Sequence, residues 1–138
     1  MVKPYARFLL ALAALLLAVG AIMHACAFKK IVSAITDSNL EAFAAGSLKL
    51  LWLGDSATLV LLAAAFAFIA ARPSAGTRWI VVILSLIPAS TAILIYTFIG
   101  SFIGGHVLMV AAIAAFAGGL QYSSTNSSSH SGFPIGRV

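Results

Sequence analysis

The chain has 138 residues, of which 62% are hydrophobic and 8% charged, with a formal net charge of +5. Soluble domains run at roughly 45–50% apolar and 25% charged, so this chain lacks the polar residues to cover a water-facing surface. The basic residues stand in ones and twos beside apolar runs rather than in a cluster. Such a pattern fits membrane topology signals and headgroup contacts, and excludes a nucleic-acid-binding face.

Taken in chain order, the first apolar run extends from about Phe8 to Phe28, with Pro4 where the first turn of a helix tolerates proline. Lys3 and Arg7 precede it, and Ala25-Cys26-Ala27 has the small-x-small form of a signal cleavage site. The run of about 20 residues exceeds the 7–15 of a signal-peptide core, so the segment is read as a retained helix, with cleavage as the alternative. Cys26 is the only cysteine, so no pair within these residues can form a disulfide.

Residues 29–47 form the longest connection. Ser38-Asn39-Leu40-Glu41 matches a capping box, which predicts either a short interfacial helix over 38–46 or an early start to the second span. The second run covers about 48–71 and stops at Arg72-Pro73. A turn through Pro73 to Arg78 leads to the third, about 79–99, which contains Pro88; Ser90 and Thr91 are placed to satisfy the carbonyl near Leu84 that the proline leaves free. Gly100-Ser101 gives almost no slack before the fourth run, about 102–120, so the last two helices must be antiparallel neighbours. Gly100 and Gly104 fit a small-xxx-small spacing, although Gly100 is better used in the turn. The remaining 122–138, rich in Ser, Gly and Asn, has too little apolar surface to pack, and His130 within it is read as an ordinary tail residue.

Each run is about as long as the roughly 20 residues a helix needs to cross 30 Å of hydrocarbon. The fold class expected is all-α: an integral membrane four-helix up-down-up-down bundle over residues 1–121. Lys3, Arg7, Arg72, Arg78 and Arg137 fall on one side, and Lys29, Lys30 and Lys49 on the other. The richer side is cytoplasmic by the positive-inside rule, which puts both termini inside. A bacterial inner membrane is the default address.

An alternating topology brings His24, Asp55, Ser56, Tyr96 and His106 to one height near the outer leaflet. A carboxylate at a helix centre costs roughly 2.5–3.5 kcal/mol to insert, so Asp55 is the natural focus of a site. Asp55 could pair with Lys49 or Lys30 at the surface, or bond His24. Trp52 and Trp79 read as interfacial anchors. The group could exchange a proton, hold a ligand, or simply tie helices together.

The leading expectation is a non-enzymatic subunit or accessory protein whose outer polar cluster organises the bundle, or contacts a membrane protein partner, a second copy or a small apolar ligand. One alternative is a redox protein in which His24 and His106 ligate haem or a transition metal, with Asp55 supporting His24. Another is a small proton-coupled transporter using Asp55. The carboxylates are too few for a di-iron site. No serine–histidine–acid set, phosphate loop or dinucleotide fingerprint is present.

Overall fold

A computed structural model describes residues 4–72 and 77–122. The sequence readings for Lys3, the turn at 73–76, His130, Arg137 and the tail beyond Tyr122 lie outside the described residues. Four helices make up the rest: α1 (Pro4–Thr36), α2 (Ala42–Ala71), α3 (Thr77–Phe98) and α4 (Ile103–Leu120). All four are long and apolar enough to cross a membrane.

The first two helices are longer than their apolar runs. α1 has 33 residues and α2 has 30, against 22 in α3 and 18 in α4. At 1.5 Å per residue the first hairpin is about 45–50 Å long and the second about 27–33 Å. α1 continues past Lys29-Lys30 because Ile31 and Ile35 keep the four-residue apolar spacing, and Ile35 is buried.

The capping box does not form. The Ser38 hydroxyl donates to the Ile35 carbonyl at 2.6 Å, closing α1, and Glu41 takes the N-cap position of α2 without a side-chain bond. Residues 38–46 therefore hold no separate helix, and the second helix starts early, at Ala42. Local bonding to the end of the preceding helix wins over capping of the next one, as short hydroxyl side chains often allow.

Packing follows the small residues. α1 lies against α2 and α4, and α3 lies against α4, while α2 and α3 barely touch. Arg7 near the start of α1 reaches Ala70 near the end of α2, so these two helices run antiparallel. α4 is the most enclosed of the four, with Leu108, Ala111, Ala115, Gly118 and Gly119 buried. A Cβ on Gly119 would come within 2.9 Å of Val81, and one on Gly118 within 3.3 Å of the Ala6 carbonyl oxygen. Such close approach is how helices associate when burial from water supplies little driving force.

Gly100 ends α3 with φ of 90° and donates its N–H to the Ile95 carbonyl, a left-handed turn that glycine adopts without strain. It serves the turn rather than helix packing, as its position in the linker requires.

Pro88 is fully buried inside a helix that continues through it. The Ser90 and Thr91 hydroxyls both donate to Ile87, not to the Leu84 carbonyl expected from the sequence. Bonding three and four residues back is what Ser and Thr do by default on a helix.

The last turn of α2 has an unusual cap. Its C-cap N–H donates to Phe68, and the next two carbonyls receive side chains from elsewhere: Tyr122 Oη donates to Ile69 at 3.4 Å and Arg7 Nε to Ala70 at 2.9 Å. Carbonyls at a helix C-terminus lack intrahelical donors and carry partial negative charge, so a guanidinium is a favourable partner there. Leu15, Leu61, Phe68, Ile83, Leu94 and Ile113 all point outward and are exposed. An apolar exterior of this kind suits hydrocarbon, not water.

Candidate functional site

On α2, Trp52, Asp55 and Ser56 are spaced at i, i+3 and i+4, so one helical face presents all three. That face meets His24 of α1. The Trp52 indole stacks on the His24 imidazole, with ring centroids 3.9 Å apart and planes 12° from parallel. Its indole N–H donates to the His24 carbonyl at 2.9 Å. Ser56 Oγ lies 2.9 Å from His24 Nδ1, and Asp55 Oδ2 lies 3.4 Å from Nε2. Ring, both ring nitrogens and backbone carbonyl of His24 are thus all engaged by one neighbouring helix. Asp55 takes His24 as its partner rather than Lys49 or Lys30.

The pair is not sealed. The His24 and Asp55 side chains are 23% and 37% exposed, and both line a cavity of about 370 Å³. Every helix contributes to its wall: Gly20 and His24, Trp52 and Asp55, Thr91, and Leu108. The cavity lies between the two hairpins, which pack together along α1 and α4 while α2 and α3 barely touch. The volume falls at the lower end of the range for small-molecule pockets, and the lining of apolar side chains with a few polar groups is typical of them.

His106 belongs to a different constellation. Tyr96 Oη is 2.8 Å from its Nδ1, Ser101 Oγ is 3.2 Å from its Nε2, and the Tyr96 ring lies tilted 5.4 Å away. Its neighbours Gly104 and Val107 line the cavity, but His106 itself does not. The sequence placed His24, Asp55, Ser56, Tyr96 and His106 at one height. Their fold places them near one end of the molecule in two groups, one on each hairpin. Among the described residues, no group of three or more His, Cys, Asp or Glu side chains gathers as a metal ligand set.

Trp52, read as an interfacial anchor, is built into the first group. Trp79 stays exposed at the start of α3, with the Arg78 guanidinium 5.3 Å from its ring centre. The sequence did not reveal Ser101 as a partner of His106, nor the wall position of Gly20. The 52–55–56 spacing was the signal that Trp52 shares a face with Asp55.

Family models, curated proteins and solved structures contain no match to this chain.

The hydrogen count of the first group is informative. Ser56 also reaches the Trp52 carbonyl at 3.1 Å, and it has a single O–H to give. If that hydrogen goes to Trp52, His24 Nδ1 must carry a hydrogen and donate to Ser56. The Nε2–Asp55 contact then needs one more proton between the two groups, and the pair is neutral. If Ser56 instead donates to Nδ1, a neutral imidazole donates from Nε2 to an ionised Asp55, and the pair carries one negative charge. These two arrangements differ by one proton at nearly fixed heavy-atom positions.

Proposed function

We propose that this chain is a non-enzymatic multi-pass membrane component that holds a small, largely apolar molecule between its two helical hairpins. It works alone, as an accessory subunit of a membrane partner, or as a second-copy assembly. The topology that goes with this reading is up-down-up-down with both termini cytoplasmic, supported by antiparallel packing and by the five-to-three excess of basic residues. His24, Trp52, Asp55 and Ser56 then lie in the outer half of the bilayer. There they fix the first hairpin and set the polar end of the cavity.

The observation that carries the reading is the four-helix cavity of about 370 Å³ with His24 and Asp55 on its wall. The pair sits on one part of a wall that is otherwise mainly apolar, and such a wall suits a small, largely apolar molecule. Haem or metal ligation by His24 and His106 draws no comparable support, because each imidazole has a polar side chain against both nitrogens within its own hairpin.

Gly20 supplies the test. It lines the cavity, and a Cβ there meets nothing within 4 Å, so the Gly20→Leu side chain starts from open space on the cavity wall. In protein carrying Trp79→Phe, Trp52 is the only remaining tryptophan and reports on the wall. Titrating (3,3-dimethylbutyl)benzene, a neutral hydrocarbon, into nanodisc-embedded protein should change Trp52 emission saturably, and Gly20→Leu should abolish the change. A response that does not saturate, or that survives the substitution, overturns the reading.

A further inference from the structure

We propose that the cavity is a site for a lipophilic organic cation, and that each cation bound releases one proton from the His24–Asp55 pair. The inference rests on the cavity reading above and adds the ligand's charge and the proton.

Three observations combine. First, among the described residues Asp55 and His24 are the only titratable side chains on the cavity wall. α3 contributes Thr91 and Ile95 there, α4 contributes apolar side chains and Gly104, and no described lysine or arginine lines it. Among the described residues of the wall, none carries a positive charge that would neutralise the pair once its shared proton is gone.

Second, Ser56 can turn its single O–H from the Trp52 carbonyl to His24 Nδ1. This lets the pair pass between neutral and singly negative without moving a heavy atom. Third, the rest of the wall is apolar with an aromatic member, Trp52, which suits a bulky, weakly hydrated cation better than an inorganic one. In a low-dielectric setting an uncompensated carboxylate is costly, so proton and cation compete for it.

The balance is simple. The neutral pair gives up one proton to water, Ser56 donates to Nδ1, Nε2–H donates to Asp55, and the bound cation restores neutrality. One positive charge leaves as one enters. Such a site exchanges a proton for a cation with no net charge change, which is the property an exchange carrier for amphiphilic amines needs.

The probe is trimethyl(phenethyl)ammonium, a quaternary cation whose charge does not vary with pH. Its neutral isostere, (3,3-dimethylbutyl)benzene, has carbon in place of nitrogen. Both are titrated into nanodisc-embedded Trp79→Phe protein, with Trp52 emission reporting occupancy. Proton release is measured calorimetrically in two buffers of different ionisation enthalpy.

The expected result is saturable cation binding with about one proton released, weakened by Asp55→Asn about tenfold or more beyond any change in isostere binding. Asp55→Glu should restore cation binding in part. Cation binding that is equal in wild type and Asp55→Asn overturns the inference, as does binding without proton release. Should Asp55→Asn lose the isostere as well, the wild-type proton count decides. Binding of the isostere but not of the cation sinks this inference alone, whereas binding of neither probe sinks the cavity reading beneath it.

Discussion

Trp52 holds His24 twice, with its indole N–H on the His24 carbonyl at 2.9 Å and its ring stacked on the His24 imidazole at 3.9 Å. The two contacts separate by mutation. Trp52→Phe keeps a ring over the imidazole and loses the hydrogen bond, so it should destabilise the first hairpin by about 1 kcal/mol. Trp52→Ala also removes the ring and leaves a void, and should cost about 3 kcal/mol or more. Thermal denaturation in detergent micelles would show the two steps as unequal falls in midpoint. Equal falls would mean that stacking contributes nothing.

Two glycines should respond oppositely to alanine. At Gly119 the added Cβ meets Val81 at 2.9 Å, so α4 or the Val81 side chain must shift, at a cost of about 1–3 kcal/mol. At Gly54, in the middle of α2, the Cβ meets nothing within 4 Å, and alanine should stabilise the helix by about 0.5–1 kcal/mol. The same melting experiment distinguishes them by sign.

The Arg7–Tyr122 cap predicts a pH effect. Burial raises the Tyr122 phenol above its usual value of 10.0, and the Arg7 charge opposes that rise. A phenol with a raised folded-state pKa contributes stability that is fully present below the unfolded value. That contribution fades as pH climbs from the unfolded pKa through the folded one, so the melting midpoint should drop just above the ordinary tyrosine range. Phenolate absorbance of wild type minus Tyr122→Phe isolates this group. Arg7→Ala should shift its titration further upward and speed amide exchange in the last turn of α2, where the Ala70 carbonyl loses its donor.

The two polar groups should behave independently. His106→Gln breaks bonds to Tyr96 and Ser101 on the second hairpin, and should leave Trp52 emission unchanged. His24→Gln should alter that emission directly, since its ring faces the indole. A matching response from His106→Gln would mean that the groups meet after all.

Much of the fold was legible in the sequence, because helical spans announce themselves through composition. The apolar runs and the glycine turn at Gly100 correspond to helices and linker directly. Helix ends were less legible: residues 29–47 looked like a loop with a capping signal, yet Ile31 and Ile35 carried α1 onward and Ser38 closed it. Spacing along each run predicts a common height for the polar residues. It does not predict their azimuth, because an alternating topology fixes depth without saying which way each helix is rotated. That is why His106 was grouped with His24, while the partnership of Trp52 with His24 escaped notice. The Arg7 and Tyr122 contacts on α2 join residues 63 and 53 positions apart, which no local pattern encodes.

The account stands or falls on whether the space between the hairpins accepts a molecule. Trp52 emission in nanodisc-embedded Trp79→Phe protein, titrated with the neutral hydrocarbon probe before and after Gly20→Leu, is the direct measurement. A saturable change that vanishes with the leucine is the outcome expected. An identical response from both proteins would show that the space does not receive the probe, and would contradict the account.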